Sequence, residues 1–291
     1  MASRIMIAGA CGMLGRDVVG AAERAGHVPV ALGRRELDVT DADAVERAVA
    51  QQQPDAVVNC AAWTDVDGAE SHPRQAAAVN AAGAGNLAQA AAKAGVPLLH
   101  VSTDYVFDGS APLDAQGRPR PYLESDATVP LSVYGRTKLE GERLVLAASS
   151  AHLVVRTAWL FGVDGANFVA TMLRLAGERD TVQVVDDQTG CPTWTGHLAP
   201  ALIGLIEREV SGLAHLAGAG EVTWNAFAKE IFRQAEKDCI VEALDSAQMA
   251  RPAPRPSWSV LGSEREDLLP LPDWRDGLAG YLAARDGIMR A

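Results

Sequence analysis

The sequence predicts an α/β fold, a doubly wound parallel sheet with a smaller carboxyl-terminal α/β lobe. Two observations predict it. Short, charge-poor runs of Val, Leu, Ile and Ala alternate with longer helical patterns, and a glycine-rich turn directly follows the first apolar run. Continuous apolar runs are expected for strands that helices cover on both faces. Their alternation with helices is typical of a parallel sheet.

The predicted elements alternate regularly through the first half of the chain. Strands are expected at residues 4–8, 28–32, 56–59, 98–102 and 153–158. Helices are expected at residues 15–25, 42–52, 74–94 and 134–148, and Asp41 is a candidate cap for the second of them. Residues 110–130 hold four prolines and predict a long loop, which in a compact domain is usually functional.

The alternation weakens after Trp159. Helices are expected at residues 167–177, 197–209, 223–237 and 274–284, and short strands at residues 182–185 and 213–216. Three prolines between residues 252 and 256 interrupt the chain before the last helix. We therefore expect a cofactor domain at residues 1–162, with residues 190–220 packing back onto it. The substrate lobe is expected to comprise residues 163–189 and 221–291.

Composition and charge exclude several classes of protein. The chain has 291 residues, 48% of them hydrophobic, which is enough for a substantial core. A net charge of −11 argues against nucleic acid as a partner. Neither a leader peptide nor a membrane-spanning run is visible, so we expect a cytoplasmic protein without membrane contact. The four cysteines are scattered, which predicts reduced thiols rather than disulfides or a structural metal.

The glycine-rich turn has the pattern GxxGxxG and joins the first strand to the first helix. Glycines at such a turn permit positive φ angles and close approach of the backbone to phosphate, and the helix start offers free N–H groups to the anion. The pattern alone is weak, because small-residue turns are common. Its place in an alternating chain predicts a Rossmann-type dinucleotide site. The residues expected to bind cofactor here are Gly9, Cys11, Gly12, Met13 and Leu14.

The end of the second predicted strand carries Arg34 and Arg35, followed by Glu36. At this place an arginine accommodates the 2′-phosphate of NADP, whereas a carboxylate favours NAD. The arginines therefore favour NADPH, and Glu36 keeps NADH as an alternative; a solvated basic pair without a ligand is the other interpretation. Asp38 and Val39 are candidates for contacts to the adenine.

Small residues close the third predicted strand. Ala61 and Ala62, followed by Trp63, would let the backbone run close beside a flat ligand, so these three are further candidates for cofactor binding. Packing under a helix is the alternative explanation for the two alanines.

Tyr134 and Lys138 lie four residues apart at the start of a predicted helix, so their side chains share one face. A phenol with an ordinary pKa of ~10 is a poor acid at neutral pH, and a nearby ammonium is expected to lower that pKa. Thr103 ends the fourth predicted strand, at the edge where ligands bind in open α/β sheets. The three residues together predict a site that reduces a carbonyl group.

These residues resemble the extended short-chain dehydrogenase/reductase superfamily and, within it, the family of dTDP-4-dehydrorhamnose reductases. The resemblance runs nearly end to end. Its most specific strings are at residues 102–109, 130–138, 156–159, 167–168 and 187–193.

The resemblance implies roles for individual residues. It makes Thr103, Tyr134 and Lys138 the catalytic set. It implies a set of substrate contacts that comprises Thr103, Asp104, Tyr105, Trp159, Asn167 and Arg255. Some members bind magnesium at a dimer interface through glutamates, but the matching places here hold Asp17 and Gly196. We therefore expect no metal, and a homodimer is an expectation from the resemblance alone.

The function that the resemblance implies is NADPH-dependent reduction of the C4 ketone of a dTDP-linked 4-keto-6-deoxysugar. Two alternatives stay open. A nucleotide-sugar dehydratase or epimerase would recycle bound NAD, but dehydratases of this superfamily usually carry an acid pair after the threonine, and here Asp104 is followed by Tyr105. A non-catalytic subunit that binds NADP, as in the β subunit of methionine adenosyltransferase, is the other. The base, the stereochemistry at C4 and the oligomeric state are not determined by the sequence.

Overall fold

The computed structural model of the chain describes residues 1–289. The strands are β1 (Arg4–Ala8), β2 (Val28–Leu32), β3 (Ala56–Asn59), β4 (Leu98–Thr103), β5 (Leu153–Thr157), β6 (Leu160–Phe161), β7 (Thr181–Val185), β8 (Thr189–Gly190), β9 (Thr193–Trp194), β10 (Gly212–His215), β11 (Val222–Thr223) and β12 (Ile240–Leu244). The helices are α1 (Met13–Arg24), α2 (Ala42–Gln52), α3 (Val66–Ser71), α4 (Pro73–Ala77), α5 (Ala84–Ala94), α6 (Val133–Ala148), α7 (Phe168–Ala176), α8 (Thr195–Glu207), α9 (Trp224–Gln234) and α10 (Trp274–Met289).

Six strands form one parallel sheet in the order β10-β5-β4-β3-β1-β2. The chain runs outward from β1 to β2 and then resumes on the other side with β3, so the direction of winding reverses between β1 and β3. In open α/β sheets a ligand crevice lies at such a reversal, outside the carboxyl ends of the strands. The predicted Rossmann-type, doubly wound parallel sheet is confirmed.

Alternate residues of β1 belong to two hydrophobic cores, which lie on opposite faces of this sheet. Ile5 and Ile7 are buried on one face, against α1 and α8. Met6 and Ala8 are buried on the other face, against α2, α5 and α6. This is the pattern of strands covered by helices on both sides, and it explains why the charge-poor runs identified the strands.

One predicted helix has an irregular turn. Residues 74–94 are helical, but residues 78–83 form a π-helical segment between α4 and α5. Asn80 in this segment is buried, and its side chain accepts from Trp63 N and donates to Trp63 O and Thr137 Oγ1. The wider π-helical turn holds Asn80 in the position from which it makes these three bonds. The hydrophobic periodicity of the sequence did not indicate this turn.

The carboxyl-terminal segments pack around a second core. β7 and β12 form a parallel pair, and α7, α9 and α10 cover it around Phe227, Trp274 and Tyr281. The sequence missed β12, because its alternating, half-buried residues lack a continuous apolar run. The last predicted helix runs further than expected, to Met289, while residues 110–130 form the expected loop.

In the sequence β10 lies among the carboxyl-terminal segments, but in the structure it pairs with β5 in the main sheet. Between residues 1 and 289, no helix is long and apolar enough to cross a membrane. The predicted substrate lobe extends to residue 291, and positions 290 and 291 lie outside the described residues.

Candidate active site

Two adjoining cavities open at the carboxyl ends of the central strands. One, the outer cavity, has a volume of about 350 Å³ and lies over the ends of β1, β2 and β3. The other, the inner cavity, has a volume of about 640 Å³ and lies over β4 and β5. Gly12, Cys60 and Ala62 line both of them. Together they form one continuous crevice at the reversal point of the sheet.

The predicted cofactor residues line this crevice. Those on the outer cavity are Gly9, Cys11, Gly12, Arg34, Asp38, Val39, Ala61, Ala62 and Trp63. Met13 and Leu14, as well as Tyr134 and Lys138, line the inner cavity. Arg35 does not line the outer cavity, so the structure distinguishes Arg34 from its neighbour.

The glycine-rich turn has the geometry that a pyrophosphate requires. Gly9 has a φ of +75°, and a Cβ there would lie 2.6 Å from Ala61 N. A Cβ on Gly15 would collide with Gly9 O. Gly12 is the N-cap of α1 and provides no side-chain bond to the first N–H groups of the helix. These N–H groups are therefore available to an anion.

Tyr134 and Thr103 meet in the inner cavity. Ser132 caps α6 by accepting from Gly135 N at 3.1 Å, which places Tyr134 in the first turn of the helix. The side chains of Tyr134 and of Thr103, at the end of β4, line this cavity together. Tyr105 packs its ring edge against Tyr134, with centroids 5.5 Å apart. A carbonyl oxygen in this cavity can contact both hydroxyl groups.

The protonation of Tyr134 differs from the expectation. Burial, with a smaller effect of the Asp104 carboxylate, raises the pKa of Tyr134 to about 12, although the neighbouring Thr103 side chain opposes the rise. Lys138 does not contribute to this shift; its Nζ donates to Val101 O at 2.7 Å. Tyr134 is therefore a protonated phenol at neutral pH, and it can donate a proton but not accept one.

Asp104 presents a buried acceptor beside this pair. Thr103 Oγ1 donates to Asp104 Oδ1 at 3.0 Å, while Oδ2 has no hydrogen-bond partner within the described part of the chain. Burial raises the pKa of Asp104 to about 6, against hydrogen bonds from Ser259 and Thr103 that lower it. An unpaired buried carboxyl oxygen at a cavity is expected to bind a ligand hydroxyl or a water.

Thr157 is a candidate that the sequence reasoning missed. It is the register partner of Thr103 on the neighbouring strand, so both side chains lie on the same face of the sheet. Its Oγ1 is buried and has no partner among residues 1–289, and Thr157 lines the inner cavity. The sequence offered one signal for this residue, namely its position at the end of a predicted strand, close to Trp159.

An aromatic pair closes one side of the inner cavity. Trp159 stacks on Trp224, with ring centroids 3.5 Å apart and planes within 5°. Trp159 has a φ of +46°, and the lack of a side chain on Gly190 leaves room for its ring. Trp224 opens α9, far along the chain from any motif, and for that reason the sequence did not indicate it.

The structure gives Asn167 a different role from the expected substrate contact. Its Oδ1 accepts from Ala170 N at 2.9 Å, and its Nδ2 donates to Gly162 O at 2.8 Å. Asn167 is the N-cap of α7 and does not line the crevice. We therefore assign it to the support of the loop before α7, because its polar atoms are already engaged there.

Arg255, in the carboxyl-terminal segment, lines a separate cavity of about 300 Å³ and neither cavity of the crevice. Its guanidinium contacts the Tyr105 side chain and forms a two-pronged ion pair with Asp67 at 2.6 and 2.8 Å. The hydrogen bond from Arg255 lowers the pKa of Asp67 to about 2. The sequence missed Asp67, because a carboxylate in the first turn of a short helix is most simply explained as favouring the helix start.

No group of three or more His, Cys, Asp or Glu side chains suited to a metal was found within residues 1–289. At the two positions that the resemblance singled out, burial raises the pKa of Asp17, and Gly196 packs against the Trp194 ring. The expected absence of a metal stays a prediction.

The comparisons with known proteins agree with this geometry. The family model described as the RmlD substrate binding domain matches residues 3–286. A dTDP-4-dehydrorhamnose reductase of Streptomyces griseus is 48% identical, over 98% of this chain and 94% of its own length. The crystal structure of such a reductase from Clostridium acetobutylicum is 38% identical with a TM-score of 0.92, covering 97% of this chain and 99% of the other. One from Bacillus anthracis, in complex with NADP, is 33% identical with a TM-score of 0.93, covering 98% and 100%.

Proposed function

The chain belongs to the RmlD substrate binding domain family, and from this premise we propose that it is an NADPH-dependent dTDP-4-dehydrorhamnose reductase. It reduces the C4 ketone of dTDP-4-dehydro-L-rhamnose and so yields dTDP-L-rhamnose. One observation carries the proposal. Thr103, Tyr134 and Lys138 line one cavity that continues into the glycine-rich turn.

The outer cavity fits a phosphate-bearing dinucleotide. The uncapped start of α1 faces it, and side chains at Gly9 or Gly15 would obstruct the turn. Arg34 lies where a 2′-phosphate is held in this fold, which supports NADPH over NADH. When bound, the reduced nicotinamide supplies the hydride that C4 receives.

The protein's own residues supply the proton and the orientation. Tyr134 donates its hydroxyl hydrogen to the carbonyl oxygen, and Thr103, whose hydrogen is directed at Asp104 Oδ1, lies beside it and orients the ketone. As C4 gains the hydride, its oxygen becomes an alkoxide, and Tyr134 donates the phenolic proton to it. The product is a secondary alcohol, and Tyr134 regains its proton from solvent. Its raised pKa keeps the phenol protonated at neutral pH.

We propose that the remaining cavity residues hold the sugar and the nucleotide. Asp104 offers its unpaired oxygen to a sugar hydroxyl, and Trp159 with Tyr105 bounds the ring. Arg255 lies beside Tyr105, where it is suited to the pyrophosphate. This assignment of residues to cofactor and substrate implies a cofactor domain of residues 1–162 and 190–220. The remaining residues, 163–189 and 221–291, would form the substrate lobe. β10 in the main sheet and the β7-β12 pair outside it support that division.

The net charge of −11 supports a protein without a nucleic-acid partner. A cytoplasmic location, a homodimer and the absence of a bound metal remain predictions from the sequence. The dTDP-sugar is the partner that the family membership favours.

Turnover with a defined substrate tests the proposed function. Purified enzyme is supplied with dTDP-4-dehydro-L-rhamnose and NADPH, and nicotinamide oxidation is followed together with the sugar product. We expect one NADPH to be consumed for each dTDP-L-rhamnose formed. Conversion of dTDP-glucose without net NADPH consumption would instead indicate the dehydratase alternative. No turnover, with a stoichiometric protein partner recovered from lysate, would indicate the regulatory subunit.

A further inference from the structure

Two buried polar atoms at the inner cavity have no hydrogen-bond partner among residues 1–289. They are Asp104 Oδ2 and Thr157 Oγ1, on residues that are 2% and 3% exposed. The third such atom in this part of the chain is Trp274 Nε1, which lies in the second core. Native proteins rarely leave a buried polar atom unpaired, and at a cavity a ligand is the expected partner. Asp104 is proposed to bind the sugar, but Thr157 has no role in the proposed function.

The neighbouring register pair shows that the ends of β4 and β5 are firmly held. Ser102 and Arg156 are partners one step before Thr103 and Thr157. Both bind the Glu142 carboxylate of α6, to which Arg156 Nη2 donates at 2.7 Å and Ser102 Oγ at 2.5 Å. Because side chains alternate along a strand, Thr103 and Thr157 project from the opposite face. The Thr157 hydroxyl is therefore held in place by the sheet, although it has no partner of its own.

Thr157 lies on the face of the sheet that carries the glycine-rich turn. Leu153 and Val155, at alternate positions before it on β5, belong to the same core as Ala10 and Leu14. Thr157 is the next residue in this row, in the wall of the inner cavity. The other cavity residues from α1 and from the segment 158–166 are apolar, apart from one indole. On this wall the Thr157 hydroxyl is the group best suited to bind a polar substituent of a ligand.

Asp104 lies on the side of the carboxyl-terminal segment. Burial raises the pKa of Asp104, and the adjoining Ser259 side chain, which that segment provides, opposes the rise. The unpaired oxygen of Asp104 is thus close to the proposed substrate lobe. Thr157, in contrast, is on the side of the helix that starts at the glycine-rich turn. The two unpaired atoms are therefore suited to different ligands, the sugar at Asp104 and the cofactor at Thr157.

The chemistry of the cofactor provides a partner for the Thr157 hydroxyl. The inference rests on the proposed function, in which the reduced nicotinamide has to lie in the inner cavity to reach the ketone. A nicotinamide ring carries one polar substituent, a carboxamide, and a hydroxyl can pair with either its N–H group or its oxygen. We propose that the Thr157 hydroxyl binds this carboxamide. The carboxamide is attached next to the reactive carbon of the ring, so this bond determines which face of the ring is turned toward the ketone.

Binding of NADPH in the absence of sugar tests the inference. NADPH fluorescence gives the Kd of the unaltered enzyme and of Thr157→Val, in which a methyl group replaces the hydroxyl. We expect the variant to bind NADPH about tenfold more weakly, the effect of one hydrogen bond. Equal affinity of the two proteins for NADPH would overturn the inference.

A ligand without the nicotinamide shows where the affinity is lost. Adenosine 2′-phosphate 5′-diphosphoribose is NADP that lacks its nicotinamide, and its Kd is measured by displacement of NADPH. Because this ligand has no carboxamide, we expect the same Kd in the unaltered enzyme and in Thr157→Val. A loss of affinity for both ligands would overturn the inference, since it would indicate a general change in the cofactor site.

Thr193→Val is the matched control, and Thr157→Ser is the conservative variant. Thr193 is also buried and does not line the inner cavity. Its hydroxyl donates to Cys191 O at 3.2 Å and accepts from Gly218 N at 2.9 Å. Thr193→Val should therefore lower the melting temperature and leave the Kd for NADPH unchanged, whereas Thr157→Val should do the reverse. Thr157→Ser keeps the hydroxyl and should bind NADPH as the unaltered enzyme does; a tenfold loss in this variant would contradict the inference.

An NMR measurement on the unaltered protein covers the case in which Thr157→Val does not fold. With ¹³C in the threonine methyl groups, the signal of Thr157 is the one lost in Thr157→Ser. We expect a nuclear Overhauser effect between this methyl group and the nicotinamide ring protons of bound NADPH. Its absence would overturn the inference.

A failure of the inference is distinguishable from a failure of the proposed function, because none of these measurements requires the sugar or turnover. Enzyme that binds NADPH through Thr157 but does not reduce the dTDP-sugar would contradict the proposed function alone. Enzyme that reduces the sugar and binds NADPH equally well with valine at this position would contradict the inference alone.

Discussion

The two ends of the crevice differ in how far they exclude water. At the inner cavity, Thr103, Asp104 and Lys138 are 6%, 2% and 2% exposed. At the outer cavity, Arg34 and Asp38 are exposed. Electrostatic interactions are strong where water is excluded and weak where it is not. The difference indicates that the reaction takes place at the inner end. The outer end binds the cofactor, and its exposed charges lower the stability of the fold only a little.

The largest expected effect lies at the inner end. Tyr134→Phe removes the proton donor while keeping the ring that packs against Tyr105. We expect kcat to fall by about 10³-fold, the size of effect that general acid catalysis provides. Cofactor affinity, measured by fluorescence titration, stays unchanged. A loss of less than tenfold would contradict the role of Tyr134.

The second prediction concerns stability and pH at the same end. Because the pKa of Asp104 is raised to about 6, the folded state holds its proton more tightly than the unfolded chain. That contribution is complete below the unfolded pKa and is lost as pH rises through about 6. Asp104→Asn should therefore gain up to about 3 kcal/mol in unfolding free energy relative to the unaltered protein, on going from acid to neutral pH.

Urea unfolding of both proteins across this pH range checks that difference, since contributions of other carboxylates cancel. Asp67→Asn is the matched control with the opposite sign. The pKa of Asp67 is lowered to about 2, so its stabilising contribution is lost as pH falls. A difference for Asp104→Asn that does not change with pH would refute the assignment of a strained, buried carboxyl.

Thr103→Val and Thr157→Val distinguish two hydroxyls on neighbouring strands. Loss of the Thr103 hydroxyl removes the donor to Asp104 Oδ1 and a polar group beside Tyr134, and kcat is expected to fall by about 10²-fold. Loss of the Thr157 hydroxyl removes a buried group without a partner among the described residues. Its replacement should be neutral or stabilising and should change KM more than kcat. Steady-state kinetics give the kcat and KM of both variants, and thermal melting gives their stability. Equal losses of kcat in the two variants would contradict a difference in role between the two hydroxyls.

The smallest effect is expected at the exposed end. Arg34→Ala should raise the KM for NADPH by about tenfold, the worth of one exposed charge-assisted contact, with little change for NADH. Arg35→Ala is its control, because Arg35 does not line the outer cavity. An identical response of the two variants would show that the basic pair acts only through its net charge.

Local patterns made the amino-terminal half predictable. The runs at residues 4–8, 28–32 and 56–59 have the predicted bounds, because strands of a parallel sheet, including the half-buried edge strand at 28–32, are charge-poor runs. The glycine-rich turn and the spacing of Tyr134 and Lys138 are local too, so the sequence placed them in one crevice. The family resemblance supplied the substrate contacts.

What remained hidden depends on contacts between distant segments. Trp224 meets Trp159, and Asp67 meets Arg255, across intervals that carry no periodic signal. Asn167 shows the converse, since a matched string gave an expected substrate contact, and the structure shows in addition that this residue caps α7. The protonation of Tyr134 also depended on burial, which spacing does not reveal.

Transfer of an isotope to the sugar tests the central claim most directly. The enzyme is given dTDP-4-dehydro-L-rhamnose and NADPH that carries deuterium at the reactive carbon of the nicotinamide, and the product is examined by NMR. We expect dTDP-L-rhamnose with deuterium at C4 and at no other carbon. Product without deuterium, or with deuterium elsewhere on the ring, would contradict direct reduction of the C4 ketone in this crevice.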